Sequence, residues 1–165
     1  MRNLIVKKIL FLIIVLFYNA LYSQPALPQR KITLDATQAL SFGRFHTRAN
    51  GGTISVSWQG IISTTGDVFA MPRSEGMPAI YAVKLCQGRN IKITYPQTSE
   101  LTNSNGDKLR LDIGPTEKGA SGVVFASEQN CNFITTLRVG ATLHIPPNTT
   151  IGDYTGGFAV SFDQQ

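Results

Sequence analysis

Two histidines, two cysteines and ten singly scattered carboxylates are the groups of this chain best suited to chemistry. His46 follows a strand-like stretch, Phe42 to Phe45, and His144 lies between Leu143 and Ile145 on the polar face of an alternating segment. Neither has a His, Cys or carboxylate at the spacing of metal ligands. A nucleophile elbow needs Gly-x-Ser-x-Gly, and the nearest stretch, Gly119-Ala120-Ser121-Gly122, is spaced wrongly. It reads as a flexible loop before a strand at Val123. No phosphate-cradling glycine motif occurs, and no two carboxylates pair as acid and base for sugar hydrolysis. The expectation is a protein without enzymatic activity, cofactor or metal. Asn148-Thr149-Thr150 fits the N-glycosylation pattern, which in a bacterial protein marks only a loop.

The cysteines take their meaning from the start of the chain. Arg2, Lys7 and Lys8 precede an apolar run of ten residues, Ile9 to Tyr18, followed by Asn19, Ala20, Ser23, Gln24 and Pro25. That order predicts a secretory signal peptide over residues 1–23, cleaved after Ser23. An uncleaved anchor is the competing reading, but a membrane span needs roughly 20 apolar residues. Export leads to the periplasm, the cell surface or the extracellular space. Pairing of Cys86 with Cys131 is the expected state in an oxidising compartment, against two unpaired buried thiols. Closing such a loop contributes about 4 kcal/mol by chain-entropy arguments.

Without residues 1–23, twelve Lys and Arg face ten Asp and Glu, a net charge of about +2. Basic residues form only short pairs such as Arg30-Lys31, so charge supports neither a nucleic-acid nor an anionic-membrane role.

The elements that must position these groups are strands. Period-two alternation recurs at Ile32-Leu34, Ile54-Val56-Trp58, Ile91-Ile93-Tyr95, Leu109-Leu111-Ile113, Ala141-Leu143-Ile145 and Phe158-Val160-Phe162. Ala79 to Leu85 and Phe133 to Leu137 repeat it more weakly. Alternation places one set of side chains against a core and the other in water. By this phase Trp58 and Tyr81 belong to the core. Asn50-Gly51-Gly52, Thr65-Gly66-Asp67, Asn105-Gly106-Asp107 and Pro146-Pro147-Asn148 read as turns. Gly114 to Ser121 reads as a loop, and the mature chain has no convincing helical period. The predicted fold class is all-β, an antiparallel immunoglobulin-like β-sandwich. It occupies residues 32–165 as a single domain, behind an extended segment, 24–31, that carries Pro25 and Pro28.

The ordered set Phe42-Gly43, Gly52-Thr53-Ile54 and Gly60 is followed far downstream by Val139-Gly140-Ala141-Thr142-Leu143 and Gly152-Asp153-Tyr154-Thr155-Gly156. The chain closes on Phe158 to Phe162. This pattern resembles the bacterial exported family called domain of unknown function 4402. The resemblance implies a pilin-like or immunoglobulin-like surface or secreted domain with no assigned enzymatic activity. Gly140 and Gly152 suit tight backbone approach or positive φ. Tyr154 suits a corner tyrosine, its ring on the core and its hydroxyl on backbone, and Gly156 closes the same motif.

Two function classes follow. One is a fimbrial or cell-surface assembly subunit, completed by a strand from a like subunit or by a periplasmic chaperone. Gly152 followed by an alternating strand resembles the chaperone-recognised end of such pilins, although Gln164 stands where they carry an aromatic. Ile32 and Leu34 are donor-strand candidates only if they lie outside the domain's own sheet. The other class is a self-contained secreted module that binds glycan or protein through its loops. After signal cleavage neither class carries a stable membrane span.

Overall fold

An alternating segment becomes a strand where a neighbour takes its backbone hydrogen bonds. The computed structural model describes residues 33–85, 90–128 and 134–165. Its strands are β1 (Thr33–Gln38), β2 (Phe45–Val56), β3 (Ile62–Ala70), β4 (Ala79–Lys84), β5 (Asn90–Thr94) and β6 (Thr98–Thr102). They continue with β7 (Lys108–Thr116), β8 (Val124–Ala126), β9 (Thr135–Ile145), β10 (Thr155–Gly156) and β11 (Ser161–Gln164). Every pairing is antiparallel. The larger sheet runs β1-β4-β9-β7-β6-β10, with the β2–β3 hairpin joined through β9, and the smaller runs β11-β5-β8. These strands belong to one compact unit, Lys31–Gln165. Among the described residues no helix is long and apolar enough to cross a membrane.

β9 organises the larger sheet. Along one edge it pairs with β7, and on the other it serves β4 through Thr135 to Val139 and then β2 through Ala141 to Ile145. Gly140 stands at the handover, where a Cβ would collide with the backbone of Val56, Ser57 and Trp58. Only a residue without a side chain lets the end of β2 turn away there.

The apolar phases meet in the middle. Ile54, Val56, Leu109, Leu111, Ile113, Leu137, Val139 and Leu143 of the larger sheet pack with Ile93 of the smaller, and Phe125 and Phe162 lie half-buried against them. Two antiparallel layers therefore share one core, a sandwich-like arrangement. Each fully buried aliphatic side chain contributes about 1.5–3 kcal/mol.

Several local expectations are corrected. Asn50-Gly51-Gly52 and Thr65-Gly66-Asp67 are not turns. They face each other inside one long hairpin, where Gly52 pairs with Gly66 and residues 48–51 bulge opposite Asp67. Asn50 Nδ2 donates to Asp67 Oδ2 at 2.8 Å and ties the bulge. Gly51 (φ 67°) and Gly66 (φ 64°) take the left-handed conformation that turns also require. The reversal comes later, at Ser57–Gly60, where Gly60 N–H donates to Ser57 O at 2.9 Å. Trp58 lies in that turn, half-buried and off the core face. β7 runs two residues past Gly114, so part of the expected loop is strand. Phe158 to Phe162 is not one strand, because the chain leaves β6 after Gly156 and joins β5 only at Ser161.

Candidate functional site

The two histidines occupy separate places. His144 on β9 meets Asp112 on β7, with Nε2 to Oδ2 at 2.7 Å, and Arg110 Nε donates to the other carboxylate oxygen at 2.8 Å. Burial alone would raise the pKa of Asp112, but the hydrogen bonds and charges of Arg110 and His144 outweigh it and hold the carboxyl below its ordinary value. Hydroxyl pairs continue this outer face, Ser55 with Thr142 at 2.8 Å and Thr53 with Thr65 at 2.6 Å. The surface is open and polar, and its groups satisfy one another. Sequence reasoning missed the His144–Asp112 pair because the residues are 32 positions apart. Their common polar phase was the available signal, but only the β7–β9 register joins them. No group of three or more His, Cys, Asp or Glu converges as metal ligands among the described residues.

His46 lies on the β2–β3 hairpin instead. Its ring stacks on Phe69, with centroids 5.1 Å apart and planes 18° from parallel, and the Arg48 guanidinium carbon lies 5.2 Å from the same ring centroid. Ser121 is no free nucleophile: its hydroxyl accepts from Tyr95 N–H at 3.0 Å and donates to Tyr95 O at 2.8 Å.

The motif residues gather around a groove. A cavity of about 750 Å³ lies between residues 36–45 and 152–158, over a floor of Tyr81, Leu101, Leu111 and Leu143. Among the described residues Asp153 is its sole charged lining residue. One wall includes β1 and the other β10, which among the described residues pair only with β4 and β6, respectively. Each strand thus has an unpaired edge. The inward phase of β1 is poorly covered, with Leu34 37% exposed. Leu34 is nonetheless part of the domain's own sheet, opposite Val83, so it is not a free donor residue. Ile32 lies outside the described residues.

Tyr154 lines the groove, packs on the core and donates its hydroxyl to Thr150 O at 2.9 Å. Gly156 is needed for close approach, since a Cβ would strike Glu100 O and crowd Leu101. Gly152 has neither reason: its φ lies outside the left-handed range, and a Cβ would meet Asn103 at an ordinary 3.9 Å. Tyr81, in the floor, is half-buried, and burial pushes its phenol up. Cys86 and Cys131 lie outside the described residues, as does the expected signal segment 1–23.

Fold and groove together define a class: an all-β domain of two antiparallel sheets, with an apolar slot bounded by strand edges. A family model described as a domain of unknown function (DUF4402) matches residues 32–163, and the chain belongs to that family. Comparisons with curated proteins and with solved structures returned no match.

Proposed function

We propose that this protein is a non-enzymatic, exported structural subunit of a fimbrial or cell-surface assembly, and that its groove accepts an extended strand from another polypeptide. The observation that carries the reading is the groove between the unpaired edges of β1 and β10. An inserted strand would find backbone donors and acceptors on both walls and apolar side chains beneath. An immunoglobulin-like sandwich short of one strand is the architecture this implies. Like subunits or a periplasmic chaperone are the proposed partners, and an oxidising compartment would join Cys86 to Cys131.

A second reading, a self-contained secreted module for glycan or protein, is favoured by one observation. β1 already pairs with β4 from Thr33 to Gln38, so the domain holds its own first strand. Size-exclusion chromatography with light scattering on residues 24–165, made without partners, separates the two. An assembly subunit polymerises or aggregates through its open edges and becomes monomeric when a complementing strand is supplied. A stable monomer that ignores added strands overturns the assembly reading and leaves the binding module.

A further inference from the structure

The outer face of the β2–β3 hairpin changes character along its length. Between Gly52 and Val56 it presents Thr53 and Ser55, with Ser63 and Thr65 opposite. Beyond the bulge it presents His46 opposite Phe69, and the same phase carries on to Arg44 and Met71, where Met71 N–H donates to Arg44 O at 2.9 Å. Alternation puts Phe45, Thr47 and Val68 on the inner side, where Val68 is 1% exposed. Arg44, His46, Arg48, Phe69 and Met71 therefore make one exposed strip. Solvation of a sheet face asks only for groups like the hydroxyls of the other half. Phe69 and Met71, 38% and 45% exposed, leave apolar surface in water and call for a partner.

The charge of that partner follows from the ion pairs. Among the described residues these pairs use Lys108, Arg110, Arg138 and His144. Arg44, Arg48 and Arg73, on the turn after Met71, have no carboxylate within ion-pairing distance there. Asp67, the nearest acid along β3, is engaged by Asn50. The shape of the partner follows from the backbone. Among the described residues β3 pairs only with β2, so its other edge is there an open row of donors and acceptors, with no proline or lysine in the strand to block addition. The Arg48 guanidinium carbon lies 5.2 Å from the ring centroid of Phe69, so the charge sits beside a β3 side chain. A strand added there would run about 4.8 Å from β3.

We propose that the free edge of β3, with the Arg44–His46–Arg48 strip beside it, binds an acidic extended segment of a partner protein. The segment adds as a strand, sets a carboxylate opposite Phe69 and pairs it with Arg48, while Arg44 and Arg73 supply attraction from the end of the hairpin. Gly43 and Phe45 line the groove while Arg44 and His46 take the opposite phase, and the inference stands whether or not the groove takes a strand.

The test uses protein purified from expression of the full chain, and three probes. They are an alternating Thr-Glu peptide of about nine residues, to match β3, its Thr-Lys counterpart, and polygalacturonate as a carboxylated glycan. The Thr-Glu peptide is expected to bind, to weaken as salt rises and to slow amide exchange along β3. Arg48→Glu and Arg44→Glu are each expected to weaken it about tenfold, roughly the value of one charge-assisted contact. Arg48→Gln, which keeps the side-chain stem, replaces Arg48→Glu if charge reversal disturbs the bulge. Equal binding of the Thr-Lys peptide, unchanged exchange along β3, or unchanged affinity in the Arg48 variants overturns the proposal. Binding of polygalacturonate without binding of the Thr-Glu peptide overturns it in favour of an anionic glycan.

Discussion

His144 and Asp112 join β9 to β7 at 2.7 Å, and Arg110 holds the second oxygen of the same carboxylate. The cluster lies on a solvated sheet face, with the His144 and Asp112 side chains 40% and 33% exposed, and it ties the two strands together across their outer surface.

The acid limb of stability tests this fastening. The pKa of Asp112 is lower in the folded protein than its ordinary value. Its contribution is therefore present above the unfolded pKa and is lost as pH falls through the folded one. Asp112→Asn is expected to remove that part of the pH dependence and to cost only a few tenths of a kcal/mol near neutrality, because the pair is screened by water. Denaturant midpoints of both proteins across the acid range measure it; a variant curve parallel to the parent's throughout would refute the coupling.

Strand register is tested by neighbouring substitutions. Val56 is 1% exposed, whereas Ser55 points to the outer face and meets Thr142. Val56→Asp is expected to prevent folding, since a buried unpaired charge costs several kcal/mol. Ser55→Asp is expected to fold. Circular dichroism with thermal melts decides, and equal loss from both would contradict the register.

Gly140 and Gly152 should respond in opposite ways to the same change. Gly140→Ala drives a methyl group into the backbone of Val56, Ser57 and Trp58 and is expected to cost about 1–3 kcal/mol. Gly152→Ala meets only an ordinary contact and is expected to be neutral or to stabilise by up to about 1 kcal/mol through reduced freedom of the unfolded chain. Urea unfolding of the pair measures the contrast, which vanishes if the handover from β4 to β2 is not tight.

Processing and cross-linking are read by mass. Exported protein is expected to lack residues 1–23 and to yield a Cys86–Cys131 peptide without reductant. Full-length chain retained in membranes would exclude cleavage, and two freely alkylated thiols would exclude the bond. Where the bond forms, Cys86→Ala is expected to lower stability by about 2–4 kcal/mol.

The sequence by itself determined which residues turn inward wherever a strand is buried on one face. Ile54 and Val56, Leu109 to Ile113, and Ala141 to Ile145 alternate because pleat direction is local, and all are core residues. The family was legible too, because Gly140-Ala141-Thr142-Leu143 and Gly152 to Gly156 stand contiguous in the chain. The strand placed at Val123 became β8, but β3, at the edge of the larger sheet, and β6, between β7 and β10, were not legible. They are polar or short, and they exist because a neighbour takes their hydrogen bonds. The glycines at 51, 52 and 66 showed that the backbone needed unusual φ, but bulge and turn place the same demand on a single residue. Only pairing across the hairpin decided between them. Trp58 kept the phase of β2 in sequence and lost it in space, because the strand turns away beside Gly140. The groove, the His144–Asp112 pair and the Arg48–Phe69 strip each join residues from different strands. Their formation depends on register and strand order, which are properties of the whole sheet and of no segment alone.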